Sequence, residues 1–196
     1  FRSSGKSTLL RSLANRSNFS SKYISPERGG TLRYDPNIEN NINRDAGYLT
    51  NTRQKNRFEQ FREQSAVQFR TLELTILREI EKDKRQDLNY TFESYLEKIN
   101  FLLPSIMLVR SAIGFSIQSK TGTPISEEQI SSGESELIAL AIEVLVYSKA
   151  NIEHKLLLLD EPDVHLHPDL QQKFISFVES TARENNFKAV IATHST

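Results

Sequence analysis

The sequence predicts an α/β fold in which helices flank a mostly parallel sheet and a helical insertion interrupts the chain. Helix-like and strand-like segments alternate along the sequence. A Gly-Lys-Ser-Thr stretch precedes an amphipathic helix near the start, and two apolar strands further on end in polar residues. Polar residues at the carboxyl ends of parallel strands are typical of ligand-binding α/β folds.

Composition limits the classes of protein to consider. The 196 residues suit one domain, or one domain with an insertion, and 37% of them are apolar. No apolar stretch approaches the ~18 residues that span a bilayer, so we expect a soluble protein with no membrane partner. The absence of cysteine excludes disulfides and fits a cytoplasmic location. Basic and acidic residues number 25 each, so net charge gives no argument for a nucleic-acid partner.

Residues 1–25 are expected to contain a phosphate-binding loop, a short helix and a strand. The helix should carry Leu9, Leu10 and Leu13 on one side, and the strand should lie near residues 22–24.

Residues 50–105 are predicted to form a helical lobe, after a loop-like stretch at residues 26–43 that contains Pro, Gly and Asn. Residues 55–85 place apolar side chains at three- and four-residue steps, which indicates one long helix. A second helix is expected over residues 90–103, ending before Pro104. A packed lobe is the plain interpretation, and a partner-binding arm is the alternative.

Residues 106–196 complete the α/β pattern. Residues 106–119 resemble mainly a strand, and residues 133–147 a helix that is apolar nearly all round and therefore buried. The four leucines at 156–159 are interpreted as a short strand buried on both faces of a parallel sheet.

The last helix and strand follow the same logic. Pro168 suits the first turn of a helix, and residues 188–193 form an apolar strand that ends at His194. One face of that helix is apolar and comprises Leu170, Phe174, Phe177, Val178 and Ala182.

The opening Gly5-Lys6-Ser7-Thr8 has the chemistry of a phosphate-binding loop. A glycine lets backbone N–H groups turn toward phosphate oxygens, and the helix N-terminus favours the same anion. Lys6 would reach the phosphates and the Ser7 hydroxyl would bind Mg²⁺. A surface Gly-Lys turn is the plain alternative.

Asp160 and Glu161 follow the strand at residues 156–159 directly. A carboxylate at the end of a parallel strand can hold Mg²⁺, so Ser7 and Asp160 are the candidate metal ligands. Glu161 can act as general base on an attacking water. Two solvated acids at a strand end are the alternative interpretation.

Ser131, Ser132, Gly133 and Glu134 occupy a helix start. Ser131 and Glu134 match an S-x-x-E capping box, which by itself is an ordinary helix cap. Exposed hydroxyls and accessible backbone N–H groups at a helix N-terminus can also bind an anion. Because the loop at residues 5–8 already serves the phosphates, the alternative interpretation is that this helix start binds another ligand or one held by another subunit. His194 ends a strand as Asp160 does, and there it could donate a hydrogen bond to a γ-phosphate.

The stretches GKST, ISSGE, LLLLDEP and ATHS stand in the order found in ABC-type ATPases, which are P-loop NTPases. The chain resembles their soluble branch, which includes SMC-like, RecF-like and OLD-like ATPases, and DEPDVHLHP is especially similar to the OLD-like and AAA-labelled members. The resemblance implies ATP and Mg²⁺ as ligands and a head-to-head homodimer. It also identifies residues 1–196 as an incomplete ABC-type ATPase domain, part of a longer protein.

The resemblance assigns roles residue by residue. Residues 5–8 resemble the end of the Walker A motif and residues 131–134 the ABC signature, which contacts the γ-phosphate held by the opposing subunit. Asp160 resembles the Walker B aspartate, Glu161 the catalytic glutamate and His194 the switch histidine.

Three features depart from the family pattern. The signature is ISSGE rather than LSGGQ, and the segment from His165 to His167 stands where a D-loop aspartate is usual. The His165–His167 pair could also bind a metal, although it equally suits a turn. The Q-loop glutamine is not assigned, because four residues compete for it: Gln54, Gln60, Gln64 and Gln68.

The resemblance implies ATP hydrolysis that drives a conformational cycle in an effector, such as a nuclease or another partner acting on nucleic acid in repair or phage defence. Two other functions stay open. One is the nucleotide-binding subunit of a membrane transporter, and the other is an ATP-dependent switch or scaffold without hydrolysis.

Overall fold

The computed structural model describes residues 5–15, 20–24, 58–111, 114–162 and 166–193. The chain divides into two compact units. The first combines Phe1–Glu27 with Tyr147–Thr196, and the second is Arg28–Val146. The predicted loop at 26–43 and the start of the predicted lobe at 50–57 lie outside the described residues.

The described helices and strands follow the alternation that the sequence predicts. The helices are α1 (Lys6–Ala14), α2 (Phe58–Lys82), α3 (Phe92–Leu102), α4 (Ser132–Ser148) and α5 (Pro168–Glu184). The strands are β1 (Ser20–Ile24), β2 (Ile106–Ser111), β3 (Gly114–Ser119), β4 (Lys155–Asp160) and β5 (Lys188–Ala192). A short 3₁₀ turn covers Glu127–Gln129.

The first unit is built on a parallel three-stranded sheet in the order β1-β4-β5. The register places Tyr23 opposite Leu158 and Asp160 opposite Ala192. Successive residues of β4 from Leu157 to Asp160 are buried, although they point to alternate faces. This confirms the prediction of a strand buried on both faces of a parallel sheet.

Helix α1 lies against all three strands of this sheet. Leu10 packs with Leu158 and Ala192, and Leu13 lies at the edge of the same cluster. The expectation for Leu9 is wrong, because its side chain is 62% exposed. Adjacent helical residues are turned by about 100° from each other, and in α1 this rotation places Leu10 against the sheet and Leu9 on an exposed side of the helix.

Helix α5 packs beside β5 in the same unit. Pro168 occupies its first turn, where a missing backbone N–H costs nothing. Phe174, Phe177 and Val178 are buried, as the apolar face predicts. Leu170 at the start of that face is only half-buried.

The second unit contains α2, α3 and an antiparallel hairpin. Residues 106–119, predicted as mainly strand, form the two strands β2 and β3, which pair with Ile106 opposite Ser119. Phe69 of α2, Phe92 of α3 and Phe115 of β3 form an aromatic cluster, with ring centroids 4.3 to 5.6 Å apart. These contacts fix both helices against the hairpin and give the predicted lobe its core.

The compact second unit is larger than a lobe of residues 50–105, because it includes the hairpin and most of α4. Residues Leu137–Leu145 of α4 are almost completely buried, which confirms the prediction for this helix. Across the described ranges, no helix combines the length and apolar character that crossing a bilayer requires.

Candidate nucleotide-binding site

The start of α1 has the backbone geometry that its glycine permits. Gly5 has φ 69° and ψ −2°, in the left-handed region, and its carbonyl accepts a hydrogen bond from Leu9 N–H at 2.9 Å. Glycine adopts this conformation without strain, whereas a residue with a Cβ does not. The sharp entry places Lys6, Ser7 and Thr8 in the first turn of the helix.

The carboxylate of Asp160 lies at the end of β4 and is only 2% exposed. Ser7 Oγ donates to Asp160 Oδ1 at 3.1 Å, and the Tyr23 hydroxyl donates to Asp160 Oδ2 at 2.5 Å. A buried carboxylate requires such donors, because an unpaired buried charge is costly. Two neighbouring segments, α1 and β1, therefore both contact a carboxylate that is distant from them in sequence.

The side chain of Lys6 reaches the end of the neighbouring strand. Its Nζ donates to the Thr193 carbonyl at 2.5 Å, one residue beyond β5. Because β4 and β5 are parallel, their carboxyl ends lie at one edge of the sheet. The start of α1 thus faces the ends of both strands.

Glu161 leaves the sheet immediately after Asp160. Its backbone N–H donates to the Ala192 carbonyl at 2.8 Å, and its φ of 47° is left-handed. A non-glycine residue in this region is uncommon and costs of order 1–3 kcal/mol. Side chains alternate between the two faces of the sheet along β4. The left-handed backbone at Glu161 ends this alternation. Its side chain is half-buried.

Tyr23 is a part of this site that the sequence analysis missed. Burial, together with the hydrogen bond to Asp160, raises the pKa of Tyr23 to about 12. Arg11 Nε donates to the Tyr23 hydroxyl at 3.5 Å, and the guanidinium lies 6.0 Å from the centre of the ring. Ser-Ser-Lys-Tyr-Ile contains no recognisable motif, so only the pairing of β1 with β4 reveals this residue.

The predicted signature residues belong to the second unit. Glu134 N–H donates to Ser131 Oγ at 3.2 Å, which confirms half of the capping box. Ser131 and Ser132 are exposed at the start of α4, and Gly133 is half-buried.

The carboxylate of Glu134 is directed into the protein rather than toward solvent. It accepts hydrogen bonds from Ser105 N–H at 3.0 Å, Ser105 Oγ at 2.7 Å and Ser131 Oγ at 2.9 Å. Burial opposes the charge, but these hydrogen bonds, with another from the Ile106 N–H, outweigh it and hold the pKa of Glu134 below its ordinary value. Glu134 therefore ties the signature segment to the residue that precedes β2.

Of the candidate histidines, His167 lies among the described residues. His194 and His165 lie outside the described residues, so the roles predicted for them stay predictions. His167 precedes α5, is exposed and has Nδ1 3.7 Å from an oxygen of Asp169. Within residues 5–15, 20–24, 58–111, 114–162 and 166–193, no three His, Cys, Asp or Glu residues cluster as a metal site.

The Q-loop assignment also stays open. Gln68 is buried in α2, and its Oε1 has no hydrogen-bond partner among the described atoms. Gln54 lies outside the described residues. Gln60 and Gln64 belong to α2, whose bounds are Phe58–Lys82.

The oxygen atoms of Ser7 and Asp160 suit a hard divalent cation. A hydroxyl and a carboxylate are the ligand types that Mg²⁺ takes from proteins when phosphates supply further oxygens. The 3.1 Å separation between Ser7 Oγ and Asp160 Oδ1 brings the two atoms close enough to serve one ion. The residues present therefore fit the metal that the resemblance implies.

A parallel sheet that brings a Gly-Lys-Ser-Thr helix start against an Asp-Glu strand end is the arrangement of the P-loop NTPase class. The chain belongs to the family described as "AAA domain, putative AbiEii toxin, Type IV TA system", whose sequence profile matches residues 45–196. This family match confirms the resemblance to the AAA-labelled ABC-type ATPases.

Two similar proteins illustrate the relationship. The retron Vc95 probable ATPase of Vibrio cholerae serotype O1 biovar El Tor is 37% identical over 84 residues. That alignment covers 39% of this chain and 16% of the retron protein. The crystal structure of an Smc head domain with a coiled coil and joint from Pyrococcus yayanosii is 22% identical, with a TM-score of 0.36. It covers 78% of this chain and 30% of the Smc chain.

Proposed function

We propose that this domain binds ATP with Mg²⁺ and hydrolyses it at the edge of the sheet where β4 and β5 end. The observation that carries the proposal is that the first turn of α1 contacts both strand ends: Ser7 bonds to Asp160 at the end of β4, and Lys6 bonds to Thr193 just beyond β5. Membership of the AAA-domain family and the name of the retron relative support the same activity.

Each residue has a distinct part in the proposal. Backbone N–H groups that follow Gly5 would face the phosphates, and Lys6 has three N–H donors, so it can hold the Thr193 carbonyl and still reach a phosphate oxygen. Ser7 and Asp160 would hold Mg²⁺, which would offset negative charge on the phosphates. Thr8, in the same turn, completes the helix start that the anion would face.

Glu161 is the proposed general base. Its carboxylate would accept a proton from water while the water oxygen attacks the γ-phosphorus and the bond to the β–γ bridging oxygen breaks. The products would be ADP and phosphate. His194 is proposed to contact the γ-phosphate, since the Lys6 ammonium already lies against the carbonyl of the preceding residue.

A second copy of the chain is proposed to complete the site. Ser131 and Ser132 are exposed at the start of α4, where the Ser132 hydroxyl and the adjacent Gly133 backbone can meet a phosphate held by a partner subunit. The Ser131 hydroxyl would join them by exchanging its hydrogen bond to Glu134 for one to the phosphate. The hydrolytic cycle would then open and close a homodimer linked to an effector. The toxin–antitoxin label of the family and the retron name of one relative support such a linked role, and a nucleic-acid or nuclease effector is our proposal for it.

Glu161→Gln in the full-length protein tests hydrolysis. The amide cannot accept the proton from water, so phosphate release should fall at least about a hundredfold, the usual contribution of a general base. ATP binding should persist, and the ATP-bound dimer should last longer in size-exclusion chromatography. Hydrolysis at the parent rate would remove Glu161 from its role. A parent protein that binds ATP without turnover would identify a switch instead.

A further inference from the structure

We propose that Tyr23 is a positioning residue that orients the Asp160 carboxylate for the metal, an inference that rests on the proposed ATPase function. Tyr23 lies on β1, and its hydroxyl donates to Asp160 Oδ2 at 2.5 Å. The other oxygen, Oδ1, is the one that accepts from Ser7 Oγ. Oδ2 is therefore the oxygen that Tyr23 holds, and Oδ1 is the oxygen that lies beside Ser7 and would face the metal.

The strand register explains why this tyrosine can reach that carboxylate. Tyr23 pairs with Leu158, and paired residues of adjacent parallel strands point to the same face of the sheet. Asp160 lies two residues beyond Leu158 and so shares this face, which α1 covers. The length of the tyrosine ring spans the two-residue offset and delivers a hydroxyl to the end of β4.

Helix α1 contacts the tyrosine as well as the aspartate. Ser7 and Arg11 are four residues apart and therefore lie on one side of the helix. Ser7 contacts Asp160, and Arg11 contacts the Tyr23 hydroxyl and lies over its ring. Contacts from α1 therefore hold the phenol in place beside Asp160.

A terminal carboxylate rotates freely unless its oxygens are bound. A short hydrogen bond to Oδ2 restricts that rotation and leaves Oδ1 directed toward Ser7. Partners that orient a metal ligand typically matter by roughly 10–100-fold in metal affinity or activity. Removing the Tyr23 hydroxyl should therefore weaken metal binding without removing a ligand.

Tyr23→Phe tests this role, with Tyr147→Phe as the matched control. The Tyr147 hydroxyl donates to the Ser20 carbonyl at 2.6 Å, at the opposite end of β1 and away from Asp160. Both variants keep the ring and lose the hydroxyl: Tyr23→Phe removes the hydrogen bonds to Asp160 and from Arg11, and Tyr147→Phe removes the one to Ser20. Mn²⁺ affinity is measured by electron paramagnetic resonance with a non-hydrolysable ATP analogue and the full-length protein. Tyr23→Phe should bind Mn²⁺ roughly tenfold more weakly, whereas Tyr147→Phe should match the parent.

Two further measurements separate the possible failures. Analogue binding in EDTA should be the same in parent and Tyr23→Phe, because the hydroxyl acts only on the metal ligand. For each variant, the melting temperature of the analogue-bound protein is measured with and without Mg²⁺. Because the comparison is made within one variant, a lower overall stability cannot be mistaken for weaker metal binding. Parent-like Mn²⁺ affinity in Tyr23→Phe, with weakened affinity in Ser7→Ala, would overturn the positioning role alone. Parent-like affinity in Ser7→Ala as well would overturn the proposed metal site itself.

Discussion

Ser7 and Asp160 are separated by 153 positions in the sequence, yet Ser7 Oγ donates a hydrogen bond to Asp160 Oδ1 at 3.1 Å. The contact joins the first turn of α1 to the last residue of β4. It exists because α1 covers the sheet face to which Asp160 points. The candidate site is therefore produced by packing of the first unit rather than by any local segment.

Ser7→Ala should weaken ATP binding in the presence of Mg²⁺ and leave binding in EDTA unchanged. A hydrogen bond or ligand bond to a charged group contributes about 1.5–3 kcal/mol, which corresponds to roughly 10–100-fold in affinity. Ser21→Ala is the control. Ser21 Oγ donates to the Ala14 carbonyl at 3.0 Å, at the other end of α1 from Ser7. Isothermal titration calorimetry with and without Mg²⁺ measures the difference. Equal losses in both conditions would contradict a metal-specific role.

Lys6→Ala should lower ATP affinity at least about tenfold, because it removes a charge-assisted hydrogen bond to phosphate. Lys188→Ala is the matched control: Lys188 is exposed and stands at the start of β5, whereas Lys6 contacts the residue just beyond its end. Binding of a fluorescent ATP analogue measures both variants. If Lys6→Ala binds as tightly as the parent, the phosphates do not lie at the end of β5.

Leu10→Ala and Leu9→Ala test the packing of α1 on the sheet. Leu10 is 2% exposed and contacts the Leu158–Ala192 cluster, so its truncation should cost about 2–5 kcal/mol of unfolding free energy. Leu9 is 62% exposed, and the same substitution there should change stability by less than about 0.5 kcal/mol. Urea denaturation of the full-length protein measures both. Equal losses would mean that α1 is rotated from the orientation described.

The Glu134 carboxylate should make stability depend on pH. Its pKa is held below the ordinary 4.5 in the folded protein, so its stabilising effect is complete above that value. The effect is lost as pH falls through the lower folded pKa, because the protonated acid no longer accepts all of its hydrogen bonds. Unfolding free energy measured at a series of acidic pH values should show this decline in the parent.

Glu134→Gln should remove that part of the decline and cost about 1.5–3 kcal/mol near neutral pH, because the hydrogen bonds from Ser105 lose their charged acceptor and the amide NH2 replaces the oxygen that accepts from Ser131. Glu97→Gln, at an exposed position of α3, is the control and should follow the parent. A pH profile for Glu134→Gln identical to that of the parent would contradict this account. The signature segment would then not depend on Ser105.

The buried apolar segments made much of the fold predictable. Four consecutive leucines identify β4 as a strand covered on both faces, and the apolar helix that becomes α4 is buried as expected. The residues with chemical signatures, Lys6, Ser7 and Asp160, could also be selected, because phosphate and metal binding require those side-chain types. Their roles in ATP hydrolysis stay predictions.

Tyr23 and Ser105 could not have been selected in this way. Tyr23 bonds to a residue 137 positions away, and Ser105 to one 29 positions away. Neither tyrosine nor serine has a side chain that indicates such a partner, and nothing in a single strand specifies its register against another. The same reasoning applies to Leu9, since the apolar pattern of α1 alone does not decide which leucine meets the sheet.

The sequence alone thus determined which segments are helical, that the leucine-rich strand is buried on both faces and which side chains have the chemistry for phosphate and Mg²⁺. Only the tertiary structure decided that β1 supplies a hydroxyl to Asp160 and that Glu134 is directed toward Ser105. The physical reason is that periodicity and side-chain chemistry are local properties of the chain. Hydrogen bonds between distant residues depend instead on strand order, register and the rotation of each helix on the sheet.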